Sequence, residues 1–140
     1  MAAAAAGESP LWGDALRHDP ERVPVFAELV PERFALGVET IYEGYLLHYG
    51  RPRLFAPADA DEALLLGDYL YAHGLVRIAA TGDLDAVAAL AELISTCAAL
   101  RADGRSGDGD AWIGCARRLG GEPGPAAVER SLAAHAGRVG

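Results

Sequence analysis

The sequence predicts an all-α protein, an antiparallel bundle of about five or six helices. Three observations indicate this fold class. Just over half of the residues are hydrophobic (51%), and alanine and leucine, which favour helix over strand, dominate them. Apolar residues recur at the helical spacing i, i+3, i+4, i+7. Glycine and proline separate these segments, which are longer than typical strands.

The chain divides into a short leading segment and one domain. Residues 1–22 combine an alanine run with glycine, serine and proline, and we expect them to be flexible. Residues 23–140 are expected to form a single helical domain, because a chain of 140 residues is long enough to bury one sizeable core.

The first two helices are predicted over residues 23–30 and 31–49. Pro31 suits the first position of a helix, because its missing N–H would have no partner there. Gly50 suits the position that follows the last helical residue. These signals predict one short helix, then one of about five turns.

The next helix is predicted from residue 60 to about residue 80, with Asp59 or Asp61 as its N-cap and Gly82 as its end. It is apolar around most of its circumference. Such a helix is typically covered on several sides, so we expect it to be the central helix of the bundle.

Three further helices are predicted after Gly82. Asp83 is expected to cap the first of them, and residues 103–110 are expected to form a flexible loop rich in glycine and aspartate. Asp110 is expected to cap a short helix, and Pro125 to begin the last one.

Two glycines interrupt the predicted central helix. Gly67 and Gly74 lie seven positions apart, so they share one face. Each costs a helix interior about 1 kcal/mol relative to alanine, which indicates that another helix approaches closely along this face. We expect this face to form a subunit interface of Ala63, Gly67, Asp68, Leu70, Tyr71 and Gly74.

The composition argues against several classes of protein. The net charge is −8 and all 12 basic residues are arginines, so no basic stripe is available for nucleic acid. No apolar run reaches the roughly 18–20 residues of a membrane span, and a cytoplasmic protein is expected. Cys97 and Cys115 have neither zinc-site nor disulfide-framework spacing.

Residues 65–70, Leu-Leu-Gly-Asp-Tyr-Leu, resemble the "GDYLL" helix of the trans-polyprenyl diphosphate synthases. Upstream, the pentapeptide at 49–53, Tyr-Gly-Arg-Pro-Arg, resembles their "RRG-x-P-T" segment. The resemblance continues through 78–83 into 88–94 and covers about half of the chain. It implies a partial isoprenoid-synthase-like helical fold.

The resemblance also shows what is missing. Catalytic members of the family hold Mg²⁺ with two DDxxD motifs, the first just before the "RRG" segment. This chain has only Glu39 and Glu43 there, and the second motif of the family normally lies farther downstream than residue 140. Arg51 and Arg53 follow, but the two diphosphate-binding arginines are absent. The resemblance therefore implies no catalytic residue, no metal site and no cofactor of its own, with Mg²⁺ supplied only by a catalytic partner.

Several residues have alternative interpretations. Glu39 and Glu43 are either a reduced metal site or two solvated carboxylates on a polar helix face. His48, His73 and His135 lack metal-site spacing and suggest helix-end or interface histidines. The tyrosines either line a prenyl-chain tunnel or form ordinary core; they are Tyr42, Tyr45, Tyr49, Tyr69 and Tyr71.

The sequence suggests three alternative functions. The first, implied by the resemblance, is a non-catalytic subunit similar to the small component of heteromeric heptaprenyl diphosphate synthases, which pairs with a catalytic subunit in menaquinone side-chain synthesis. The second is a helical interaction protein that homodimerises without prenyl chemistry. The third is an enzyme that binds a diphosphate or an isoprenoid through Glu39, Glu43, Arg51 and Arg53.

Overall fold

The computed structural model describes residues 15–17, 19, 21 and 23–139. It confirms the predicted fold class, because this part of the chain is helical and contains no strand beyond one isolated β-bridge. A 3-10 turn (Ala27–Leu29) is followed by five α-helices: α1 (Glu32–Tyr49), α2 (Ala60–Ala79), α3 (Leu84–Ala102), α4 (Asp108–Arg118) and α5 (Pro125–Val139).

Two predicted N-caps are confirmed. The Asp59 side chain accepts a hydrogen bond from the Glu62 N–H at 2.8 Å, and Asp83 accepts one from the Ala86 N–H at 3.0 Å. Each aspartate therefore satisfies one of the backbone donors that a helix start leaves without a partner.

The prediction that Asp110 caps the short helix is wrong. α4 begins at Asp108 rather than after Asp110, and Gly107 precedes it with φ +128°, a conformation that favours glycine. Asp108 is 5% exposed, so its side chain belongs to the interior. The connection from α3 to α4 is shorter than the predicted loop for this reason.

The central helix is α1, not α2 as predicted. Eleven of the 18 residues of α1 are buried, against five of the 20 in α2. Leu64, Leu65 and Val76 of α2 are 53%, 57% and 66% exposed. A helix that is apolar all round was expected to be covered all round, but α2 is covered mainly along the face that packs on α1.

α1 and α2 approach each other closely because glycines face glycines. A Cβ atom on Gly44 would lie 2.9 Å from the carbonyl oxygen of Gly67. A Cβ atom on Gly74 would lie 2.5 Å from Cγ1 of Ile41, and one on Gly37 would meet the side chain of Ile78. The predicted close neighbour of the glycine face is therefore present, and it is another helix of the same chain.

The segment predicted to be flexible, 1–22, lies mostly outside the described residues. Its described end pairs with the loop between α1 and α2. Leu16 forms an antiparallel bridge with Phe55, and the Arg17 N–H donates to the Leu54 carbonyl at 2.9 Å. Ala15 is 1% exposed. The end of this segment thus contributes to the smaller of the two hydrophobic clusters.

Across the described part of the chain, no helix combines the length and apolar character needed to cross a bilayer. Cys97 and Cys115 are buried free thiols. Burial raises the pKa of the Cys97 thiol to about 12 and that of Cys115 to about 11. Both therefore remain protonated and unreactive at neutral pH.

Candidate functional site

A buried arginine lies between the two glutamates of α1. Arg53, 3% exposed, donates from Nε to Glu43 Oε1 at 3.1 Å, and its Nη1 donates to Glu39. The glutamates lie one turn apart on α1, which places both carboxylates against the loop that carries Arg53. Nη1 also donates to the Val23 carbonyl at 2.9 Å. The guanidinium thus joins α1 to the segment that precedes it.

Backbone N–H groups complete this network. Glu43 accepts hydrogen bonds from the N–H groups of Arg53, at 3.0 Å, and Leu54, at 2.8 Å. Glu39 Oε2 accepts one from the Ala27 N–H at 3.1 Å at the start of the 3-10 turn. A buried charge is tolerated when it is paired and hydrogen-bonded, and both conditions hold here.

Electrostatics keep this arginine charged. Burial alone would lower the pKa of Arg53, but the charges of Glu39 and Glu43 and their hydrogen bonds outweigh burial and raise it. The Arg53 guanidinium also lies over the ring of Tyr42, 5.1 Å from its centroid.

Three of the four candidate ligand-binding residues are in contact, and the fourth lies elsewhere. Glu39, Glu43 and Arg53 come together, whereas the Arg51 backbone N–H donates to the Arg138 carbonyl at 3.0 Å and its side chain donates to the Gly137 carbonyl. The interpretation of the glutamates as solvated is wrong: the Glu43 side chain is 0% exposed and that of Glu39 13%. They face inward because Arg53 lies there. Ligand binding by these residues stays a prediction.

Some of the predicted interface residues are buried within the chain, and Asp68 is largely exposed. Gly67, Leu70 and Gly74 are buried on the side of α2 that packs against α1. Asp68 keeps 65% of its side chain exposed and lies 3.1 Å from Nε2 of His48 on α1. The face expected to meet another subunit is therefore largely filled within the chain, because α1 carries glycines at matching positions.

A second polar cluster lies where α1, α3 and α4 meet. The Tyr45 hydroxyl donates to Asp108 Oδ2, and Arg101 Nε donates to the same oxygen at 2.7 Å. Arg101 Nη2 donates to the Tyr45 oxygen at 2.9 Å, which closes a ring of three side chains. Burial, and then the hydrogen bond to Asp108, raise the pKa of Tyr45, so the phenol keeps its proton.

Next to this ring, Tyr42 pairs with the histidine of α5. The Tyr42 hydroxyl lies 2.8 Å from Nδ1 of His135, which is 5% exposed. Burial raises the pKa of Tyr42 and lowers that of His135, so both are neutral at pH 7. Of the three histidines interpreted as helix-end or interface residues, His135 is instead a core residue. Tyr42 and Tyr45 also belong to the core, stacked 5.7 Å apart.

A cleft of about 450 Å³ opens beside this cluster, between the α3–α4 connection and α5. The cleft is lined by two arginines, a serine, an aspartate and a histidine, and also by three glycines and a valine. These residues are Arg101, Arg105, Ser106, Asp108, His135, Gly104, Gly107, Gly109 and Val139. Among the described residues, no group of three or more His, Cys, Asp or Glu is arranged to hold a metal ion.

Sequence reasoning did not identify this cluster. Asp108 was assigned to a flexible loop because glycines flank it on both sides. The available signal was its spacing: Asp108 lies four residues before Trp112, hence on the same face of a helix that includes both. Trp112 is 2% exposed, so an aspartate one turn earlier faces the same interior.

No protein-family model, curated protein or solved structure matches this chain.

Proposed function

We propose that this chain is a non-catalytic subunit that pairs with a catalytic prenyl diphosphate synthase subunit. One observation carries the proposal. The two carboxylates that stand where the synthases have their first aspartate motif, Glu39 and Glu43, are engaged by Arg53 inside the protein. A group that binds a counter-ion within the fold is not free to bind a metal ion for a substrate.

Magnesium chemistry explains why this matters. Mg²⁺ requires nearly octahedral oxygen coordination and keeps several waters, so carboxylates that bind it with a substrate phosphate face a wet, open space. Glu43 is fully buried, and both of its oxygens accept hydrogen bonds from Arg53. A metal ion at Glu43 would have to displace a buried guanidinium, which supports a structural role for the pair.

An exposed apolar stripe on α2 supports the pairing. Leu65 and Val76 lie eleven positions apart, about three helical turns, with Ala72 on the same face between them. Both large side chains are more than half exposed. Apolar residues aligned on one helix face are typical of contact surfaces between subunits. The partner's surface on this stripe would be a second helical face, and menaquinone side-chain synthesis is the pathway that the resemblance suggests.

Co-expression with the catalytic synthase of the same genome tests the proposal. We expect the two chains to co-purify, and prenyl chain elongation with Mg²⁺ and allylic diphosphate to require both. Leu65→Glu combined with Val76→Glu should abolish co-purification, since two buried charges are costly at an interface. The matched control is Ala91→Glu with Ala98→Glu on the exposed face of α3, which adds the same charge elsewhere.

Two outcomes would overturn this assignment. A stable homodimer that does not bind the synthase would favour the helical interaction protein. Chain elongation by the isolated chain would favour the enzyme. In either case the α2 variants would still report whether the stripe is a contact surface.

A further inference from the structure

The face of α2 that points away from α1 is apolar along its centre. Leu65 and Val76 are more than half exposed, and Ala72, which lies between them on the same face, is also exposed. Gly67 and Gly74 lie on the opposite side of the helix, where they pack against α1. The exposed stripe is therefore distinct from the glycine face that the sequence predicted as an interface.

Charged residues of opposite sign lie at the two ends of one flank of this stripe. Glu62 is in the first turn of α2 and Arg77 in its last turn. They are 15 positions apart, about four helical turns, so both lie on the same side of the line through Leu65 and Val76. Arg77 Nε donates to Nε2 of His73 at 3.0 Å. A guanidinium has five N–H donors, so this bond leaves donors for a carboxylate.

The apolar pair and the charged pair have the same centre. The midpoint between Leu65 and Val76 and the midpoint between Glu62 and Arg77 both fall at about residue 70. A two-fold axis at that point, perpendicular to α2 and in the plane of contact, places a second copy of the helix antiparallel to the first and keeps matching flanks together. Leu65 of each copy then meets Val76 of the other, and Glu62 of each copy meets Arg77 of the other.

Other features of the face agree with this orientation. In a parallel pair, Glu62 would face Glu62 and Arg77 would face Arg77, and like charges at a contact repel. Asp68 lies near the two-fold axis on the other flank, but its Oδ1 is 3.1 Å from Nε2 of His48 on α1. Its carboxylate is therefore directed toward α1 rather than toward the second copy.

We propose that a second copy of this chain covers the stripe, in an antiparallel α2–α2 contact with its two-fold axis near residue 70. The apolar residues supply most of the affinity and the charges fix the orientation, because exposed ion pairs contribute little free energy. A surface that binds only a different protein has no need of this symmetry. The proposal shares the stripe with the pairing with a synthase but does not depend on it; if both hold, the catalytic subunit displaces the second copy.

Sedimentation velocity of the isolated full chain over a range of concentrations tests the proposal. We expect a reversible equilibrium between monomer and dimer. Leu65→Glu combined with Val76→Glu should leave only monomer, whereas Ala91→Glu with Ala98→Glu, on the exposed face of α3, should dimerise like the parent chain. A parent chain that stays monomeric at about 0.1 mM would overturn the proposal.

Charge reversal tests the antiparallel orientation. Glu62→Arg should raise the dissociation constant of the dimer about tenfold or more, because it places two arginines together at each end of the contact. Glu62→Arg combined with Arg77→Glu should restore the parent value to within about threefold, since both ion pairs then form with their signs exchanged. Asp61→Arg is the matched control, because it makes the same charge change in the same turn but on the other flank, and it should have little effect. Equal weakening by Glu62→Arg and Asp61→Arg, or no restoration in the double variant, would rule out this arrangement.

The result is separable from the test of the pairing with a synthase. A chain that forms the dimer but does not bind the catalytic subunit supports the α2–α2 contact and contradicts the proposed function. A chain that binds the catalytic subunit but is monomeric alone contradicts the α2–α2 contact and not the proposed function. Circular dichroism checks that each variant is folded, and if the variant of Leu65 and Val76 is not, the comparison of Glu62→Arg with its restoring double variant decides.

Discussion

Arg53 donates from Nε to Glu43 Oε1 at 3.1 Å, at a point where neither side chain is more than 3% exposed. The pair lies at the junction of α1, the loop that follows it and the segment that precedes it. Glu43 binds the loop through the backbone N–H groups of Arg53 and Leu54. The ion pair therefore fixes the start of the loop against α1.

Removing the charge of Glu43 should destabilise the fold strongly. Glu43→Gln leaves the buried guanidinium with only Glu39 as counter-ion, and loss of one partner of a buried pair costs about 3 kcal/mol. Urea unfolding measures this loss. Glu92→Gln is the matched control, because the Glu92–Arg118 pair is exposed on both sides and is expected to contribute less than about 1 kcal/mol. Equal losses would contradict the structural role of the buried pair.

Two glycine substitutions, one at the contact between α1 and α2 and one in α4, should have opposite effects on stability. Gly44→Ala places a Cβ atom 2.9 Å from the carbonyl oxygen of Gly67, so the helices must move apart, at a cost of about 1–3 kcal/mol. Gly114→Ala in α4 meets nothing within 4 Å and should stabilise by up to about 1 kcal/mol, since alanine favours helix. Thermal unfolding distinguishes the two, and a neutral Gly44→Ala would argue against the close approach.

The buried histidine predicts a loss of stability in acid. Burial lowers the pKa of His135 below its ordinary value of 6.5, with a smaller opposing effect of Asp108 and a smaller reinforcing effect of Arg101. Below about pH 6.5 the histidine of the unfolded chain binds a proton, whereas His135 of the folded chain, with its lowered pKa, does not yet do so. The free energy of unfolding should therefore fall as the pH decreases through about 6.5.

Urea unfolding at several pH values between about 7.5 and 5 measures this dependence. His135→Gln keeps a hydrogen-bonding side chain near Tyr42 but cannot be protonated in this range, so its stability should depend less steeply on pH. A variant with the same slope as the parent chain would show that another group is responsible for the acid sensitivity.

The hydrogen-bonded ring of Tyr45, Asp108 and Arg101 predicts a smaller loss of stability than the buried pair of Arg53 and Glu43 does. Tyr45→Phe removes the hydroxyl that donates to Asp108, while Arg101 still pairs with that carboxylate. We expect a loss of about 1.5 kcal/mol, the lower end of the scale for a hydrogen bond to a charged group, because Arg101 still pairs with the carboxylate. Thermal unfolding measures it. An unchanged midpoint would mean that Arg101 alone satisfies Oδ2.

Local signals predicted the helices well and their tertiary arrangement less well. Asp59 and Asp83 were identified as N-caps because capping depends on residues only a few positions apart. The glycines of α2 correctly indicated a close neighbour. The sequence of one helix does not specify which helix that neighbour is, so the predicted contact with another subunit was in fact a contact with α1.

The candidate sites required long-range pairings that spacing alone does not predict. Glu39 and Glu43 were recognised as a pair, but their interpretation depended on where Arg53 lies, and Arg53 is in a different segment. Tyr42 and His135 are 93 positions apart in the sequence, and Tyr45 and Asp108 are 63 apart. The packing of α3, α4 and α5 on α1 brings these residues together.

A titration with Mg²⁺, followed in two-dimensional amide spectra, tests the central claim most directly, because Leu54 and Ala27 donate their N–H groups to the two glutamates. If Glu39 and Glu43 are internal counter-ions of Arg53, millimolar Mg²⁺ should leave these two amide signals unchanged. Saturable shifts of both signals would mean that the carboxylates bind the metal ion, and would contradict the proposal that this chain is a non-catalytic subunit.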